Sequence, residues 1–202
     1  MNQRLEQTIK NISSLHISEE RKEVLKPLLS YLQKKRNNNE SIRINYICTH
    51  NSRRSHLGQI WMQTLAKHFN IDNITTYSGG TEATAMAKPI VETLKNQGFE
   101  IQQLSQEQNP VYAIKYDLKS LPVIGFSKKY DNEFNPNYGF AAIMTCSEAD
   151  GGCPFVAGSE IRVPITYEDP KISDNTDKQS EVYLTRSNQI ASEMYYVLSQ
   201  LN

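Results

Sequence analysis

The chain has 202 residues, enough for one domain with a core of its own. Lysine plus arginine and aspartate plus glutamate each number 22, and this zero balance argues against general nucleic-acid binding, which needs a basic footprint. No apolar run approaches ~18 residues, MNQRLEQTIKNISS lacks the apolar core of a signal peptide, and three cysteines make an odd count for a disulfide framework; the expected address is therefore the cytoplasm, with no membrane partner.

Residues 1–40 read as a helical extension. Leu5, Ile9, Ile12 and Leu15 recur at spacings of three and four. Ser18, followed by Glu19 and Glu20, is a good helix start, and Leu25, Leu28, Leu29 and Leu32 make an apolar stripe. Pro27 either bends this helix or marks its true beginning. The pair is expected to pack on the main domain or on a second copy, as in a homodimer.

Residues 41–202 read as the main domain. IRINYICT is a strand of β-branched and aromatic residues, and SHLGQIWMQTLAKHFN is a helix. NITTYSGG is a second strand, and ATAMAKPIVETLKNQGF a second helix that stops at Gly98. YGFAAIMTC and SEIRVPIT read as two further strands, and SEVYLTRSNQIASEMYYVLSQL as a long last helix. Strands alternating with helices predict an α/β domain: three layers around a parallel sheet of about four strands. Residues 109–137 break the alternation and suggest an inserted hairpin or a long excursion.

The informative stretch is CTHNSRRS, residues 48–55. Cys48 ends the first strand, where open α/β sheets place their ligands. The loop runs into a helix start, whose free N–H groups attract anions. Such amides and a nearby arginine both favour a thiolate over a thiol. The loop can curl with its amides inward while Arg54, six residues after Cys48, folds across the mouth. A guanidinium presents a planar fork to a tetrahedral oxyanion. A thiolate beneath it would attack a bound phosphate or a similar group. Arg53 is expected to point outward. His56 is expected near the loop, His68 exposed, and Trp61 in the core.

On these residues the sequence resembles the low-molecular-weight protein tyrosine phosphatase family, which includes thioredoxin-coupled arsenate reductases. The family loop, Cys-Thr-Gly-Asn-(two residues)-Arg-Ser, is met at Cys48, Thr49, Asn51, Arg54 and Ser55, with His50 in place of the glycine. The resemblance spans about residues 42–200 and omits the N-terminal helices. It implies an oxyanion held by the segment Thr49, His50, Asn51, Ser52, Arg53 and Ser55. It also implies that Ser78, in TTYSGGTEA, braces Asn51.

Two further features separate the branches of the family. The phosphatase branch takes its general acid from a late Asp-Pro, and YEDPK offers Asp169 before Pro170. TCSEADGGCPF resembles the redox loop of the arsenate reductases at Cys146, Ser147, Ala149, Asp150, Cys153 and Pro154. Phosphatase chemistry does not need Cys146 and Cys153; a thiol relay does. Cys146 would displace arsenite by bonding to Cys48, and Cys153 would take over that bond, with Asp-Gly-Gly giving the backbone its freedom. The expectation is arsenate reduction with thioredoxin or a similar thiol as electron donor, and hydrolysis of phosphate monoesters as the alternative. No metal and no tightly bound cofactor are expected.

Overall fold

The computed structural model describes residues 1–152 and 155–202. Cys153 and Pro154, two of the residues of the expected relay loop, lie outside the described residues.

Four parallel strands form the central sheet in the order β2-β1-β6-β7: β1 Ile42–Cys48, β2 Ile74–Gly80, β6 Phe140–Met144 and β7 Ser159–Pro164. These are the four strands the hydrophobic patterning predicts. The β1–β2 register runs from Ile42 opposite Ile74 to Cys48 opposite Gly80. A second, antiparallel sheet joins β3 Glu100–Gln103, β4 Tyr112–Lys115 and β5 Val123–Gly125. Its β4–β5 hairpin is what breaks the alternation between residues 109 and 137.

Alternation along β1 sends side chains to two different layers. Ile44 and Tyr46 enter the main core with Leu57, Ile60 and Trp61 of α3 (Arg54–His68) and Ile190 and Met194 of α6 (Gln179–Ser199). Ile47 and Cys48 enter a smaller cluster with Phe140, Ala142, Met144, Cys146, Ala149 and Val156. That second face is covered by the short helix α5 (Ser147–Gly152) and by the loop through Tyr130.

The two N-terminal helices, α1 Gln3–Ser13 and α2 Glu19–Asn37, pack on α6 of the same chain. Leu5, Ile9, Ile12, Leu25, Leu28 and Leu32 are all buried there. A pairing of two copies through that stripe would require the helices to leave α6. Pro27 lies inside α2, which begins at Glu19 behind the Ser18 cap. The helix expected from residue 83 begins only at Lys88, where Pro89 suits the first turn (α4, Lys88–Asn96). Gly98, at φ +105°, follows its C-cap, as expected.

β2 is an edge strand of the central sheet; α3 covers the outer backbone groups of its first half, and Asn135 and residues 128–130 meet those at Ser78 and Gly80. Gln63 donates to Ile74 O and accepts from Thr76 N through its Oε1, while Gln59 donates to Thr76 O.

Candidate oxyanion site

The loop between β1 and α3 is held by short local bonds. Asn51 has φ +44°, a left-handed conformation that asparagine tolerates better than most residues. Its Nδ2 donates to Ser55 Oγ at 2.8 Å, and Ser55 Oγ lies 3.1 Å from Cys48 Sγ. Its Oδ1 accepts from the amide of Lys128 at 2.9 Å. His50, in the place of the family glycine, is not among the residues with positive φ, so no backbone strain follows from the replacement. The left-handed residue is its neighbour. The close approach falls instead on Gly80: a Cβ there would lie 2.6 Å from Thr49 O and 2.7 Å from Asn51 N.

The brace expected from Ser78 is replaced. Ser78 Oγ lies 3.3 Å from His56 Nδ1, and Asn51 is held by Ser55 and by the Lys128 amide. His56 on the first turn of α3 is fully buried, so its ring takes up the serine before the loop asparagine can reach it. Ser127 Oγ donates to His50 O, so the excursion supplies two contacts to the loop that its sequence does not announce.

Arg54 is buried, with one terminal nitrogen 2.9 Å from Tyr167 O and the other 2.6 Å from Asp169 Oδ2. Its Nε–H is buried and has no partner among the described residues. A buried N–H without an acceptor is costly, so it marks a position where an acceptor belongs. No side chain caps the start of α3. Uncapped first-turn amides and an unpaired guanidinium N–H are what a bound oxyanion would use. Asp169 also accepts from Lys171 N and so caps the 3-10 turn Pro170–Ser173.

Arg53 does not point into solvent. Its Nε donates to Tyr183 Oη at 2.7 Å and its Nη2 to Asp174 Oδ2 at 2.8 Å, and Tyr183 donates to Asp174 Oδ1 at 2.6 Å. These bonds tie the start of α3 to Asp174 and to α6. Ser52 is buried, and its carbonyl accepts from Ala87 N. His50 is half exposed, its Nε2 3.7 Å from Glu82 Oε2.

Cys146 lies two residues past the end of β6, beside the loop. Its sulfur is fully buried, lies 3.4 Å from Thr49 Oγ1 and accepts from Ala149 N at 3.4 Å. Arg162 of β7 donates to both the carbonyl and the carboxylate of Asp150, which clasps α5 to the sheet. The structure thus brings Cys48, Thr49, Asn51, Arg54, Ser55, Asp169 and Cys146 together.

Two buried bases lie under the loop. Burial, reinforced by the charge of Lys128, pushes the His56 imidazole down to about 3. Burial alone brings Lys128 down to about 7. Its ammonium sits 4.3 Å from the Phe126 ring centre and 5.2 Å from that of Phe134. Among the described residues no group of three His, Cys, Asp or Glu stands close enough to hold a metal ion, and no helix is long and apolar enough to cross a membrane.

No family model and no curated protein matches the sequence. Solved structures match its fold. A low-molecular-weight phosphotyrosine phosphatase from Vibrio cholerae O395 superposes with a TM-score of 0.53 at 12% identity, over 79% of this chain and 95% of that one. A low-molecular-weight protein tyrosine phosphatase from T. tengcongensis gives 0.51 at 15%, over 80% and 100%. An arsenate reductase in its oxidized state gives 0.50 at 15%, over 79% and 98%. At these identities the likeness is one of fold: the chain is built on the α/β fold that low-molecular-weight phosphatases and an arsenate reductase share.

Proposed function

We propose that the chain reduces arsenate to arsenite by thiol–disulfide exchange, with a thioredoxin-like dithiol as electron donor. Arsenate would lie in the loop 48–55, among the amides and the Nε–H of Arg54. The Cys48 thiolate attacks arsenic and an oxygen leaves as water. Cys146 then attacks the Cys48 sulfur, and the electron pair of the S–As bond stays on arsenic. The two thiols lose two electrons and two protons, and arsenate becomes arsenite plus water. Cys153 takes over the bond to Cys146, frees Cys48, and hands the disulfide to the external dithiol.

The observation that carries this reading is the place of Cys146: its sulfur is buried in the same cluster as Cys48 and touches Thr49 of the loop. An ester hydrolase has no use for a second thiol there. Hydrolysis of phosphate monoesters is the second reading, and the position of Asp169 favours it. That carboxylate is one-third exposed and lies against Arg54, where it can protonate a leaving oxygen. The test is arsenate-dependent oxidation of thioredoxin, run beside hydrolysis of p-nitrophenyl phosphate. Repeated turnover of thioredoxin only with arsenate present supports reduction. Ester turnover with no arsenate-dependent oxidation replaces it with the hydrolase.

A further inference from the structure

The N-terminal helices lie outside the family resemblance, yet one of their side chains reaches the segment that holds Arg54. Arg21, on the first turn of α2, makes a two-pronged pair with Glu193 of α6, at 2.9 Å to Oε1 and 2.7 Å to Oε2. Glu193 is 2% exposed. Its Oε2 also accepts from Tyr167 Oη at 2.8 Å. Arg21 donates in addition to Thr166 O at 3.3 Å, and its guanidinium carbon stands 5.1 Å from the centre of the Tyr167 ring. Tyr167 O in turn accepts from Arg54, and Asp169, two residues on, accepts from the other arm of the same guanidinium. Tyr167 is therefore gripped at its phenol, at its ring and at the preceding carbonyl, while its own carbonyl holds the arginine of the loop.

We propose that Arg21 is a positioning residue of the oxyanion site, acting through Glu193 and Tyr167 on Arg54. The proposal rests on Arg54 as the oxyanion-binding arginine and holds for arsenate reduction and ester hydrolysis alike. Two acceptors, Tyr167 O and Asp169, set the plane of the Arg54 fork, and a fork binds a tetrahedral anion well only in one orientation. Both acceptors sit on the strip of backbone that Arg21 clamps. Burial, with the charge of Glu193 behind it, keeps the Tyr167 phenol protonated far above its ordinary range, so the donor to Glu193 is always present. The extension is thus part of the site's support as well as a cover for α6.

The test is a cycle in the full-length chain, read by calorimetric binding of inorganic phosphate. Arg21→Met combined with Glu193→Gln removes the clamp without leaving a buried charge alone. Phosphate binding should weaken about tenfold in the otherwise unaltered chain, and by less than twofold in an Arg54→Lys background, because the effect travels through Arg54. Alkylation of Cys48 by neutral iodoacetamide, which does not require that fork, should keep its rate. Tyr167→Phe, a milder change that removes one hydrogen bond, should weaken phosphate binding about threefold. Equal losses in both backgrounds, or no loss in either the double variant or Tyr167→Phe, would overturn the proposal. If Arg54→Lys alone leaves phosphate binding intact, the oxyanion site itself is misassigned and the proposal falls with it; if Arg54→Lys is impaired and the clamp variants are not, only the clamp is wrong.

Discussion

The hydroxyl of Thr49 lies 3.4 Å from the sulfur of Cys146. One residue of the anion loop therefore touches the second thiol directly, and the sulfur sees both that hydroxyl and the amide of Ala149. These two contacts fix where the Cys146 sulfur lies relative to the loop. Thr49→Val keeps the shape and removes the hydroxyl that touches the sulfur. Arsenate-dependent oxidation of thioredoxin should slow several-fold in this variant, while phosphate-ester turnover stays within twofold. Equal slowing of both would place the hydroxyl in anion binding instead.

Cys146→Ser and Cys153→Ser should separate the two chemistries further. Each should stop multiple turnovers of arsenate reduction and leave ester hydrolysis by Cys48 largely intact. In Cys153→Ser, a Cys48–Cys146 disulfide should accumulate after one turnover and be visible by mass spectrometry of a nonreducing digest. Repeated reduction by a chain lacking both thiols would eliminate the relay.

The glycines of α5 carry a prediction of their own. A Cβ at Gly151 or at Gly152 would meet nothing within 4 Å, and neither residue has positive φ. Neither packing nor backbone angle requires glycine there, and glycine in a helix costs about 1 kcal/mol relative to alanine. Their effect is to weaken a six-residue helix under which Cys146 is wholly buried. Gly151→Ala with Gly152→Ala should stiffen α5 and lower the reactivity of Cys146 toward a disulfide reagent several-fold, measured in a chain where it is the sole cysteine. Breaking the clasp with Arg162→Gln should act in the opposite direction. Indifference to both changes would show that exchange does not need α5 to open.

Stability should depend on pH in two windows. His56 binds its proton at about 3 when folded and near 6.5 when unfolded. As pH falls through that interval the unfolded chain takes up the proton first, so stability is lost. Lys128 is shifted from 10.5 to about 7. Between those values the unfolded chain again holds more protons, and this group makes stability rise with pH. Lys128→Met should therefore raise the melting temperature below pH 7 and lose that advantage by about pH 10. A variant that melts equally at pH 6 and pH 10 relative to the parent would show that Lys128 is well solvated.

Arg54→Lys should stay strongly impaired in both activities. A single ammonium cannot bridge Tyr167 O, Asp169 and an anion in one plane. Wild-type turnover in this variant, measured as kcat/KM, would rule out the forked geometry.

The parts of the site that are contiguous in the chain were legible in the sequence. Cys48, Asn51, Arg54 and Ser55 fall within eight residues between a strand and a helix, and local patterning places them together. What was hidden is long-range and often uses backbone groups. The Lys128 amide that braces Asn51 is 77 residues away, and an amide leaves no mark on residue type. Arg53 reads as a surface charge until the fold sets Asp174 and Tyr183 beside it, and Asp174 is 121 residues away. The Arg21–Glu193 pair spans 172 residues. SEADGG reads as a loop because its glycines disfavour a helix; Cys146 supplies acceptors to Ala149 N and Asp150 N, and Arg162 holds Asp150 from β7. A hairpin is one of the two readings the sequence offers for residues 109–137, but the sheet that β4 and β5 make with β3 depends on a pairing that alternation does not reveal.

Edge strands are the places where folded chains recruit one another. Gln59 and Gln63 occupy Ile74 O, Thr76 N and Thr76 O, Asn135 occupies Ser78 O, and the segment 128–130 bridges Gly80, so β2 presents no free backbone ladder to a passing strand. The two glutamines, one helical turn apart, act as a counterfeit neighbour, and the sheet stops at β2 without a proline or a charged rim. Replacing both by alanine would reopen that margin, and the first symptom would be concentration-dependent self-association, seen well before any loss of the thiol chemistry at the other end of the strand.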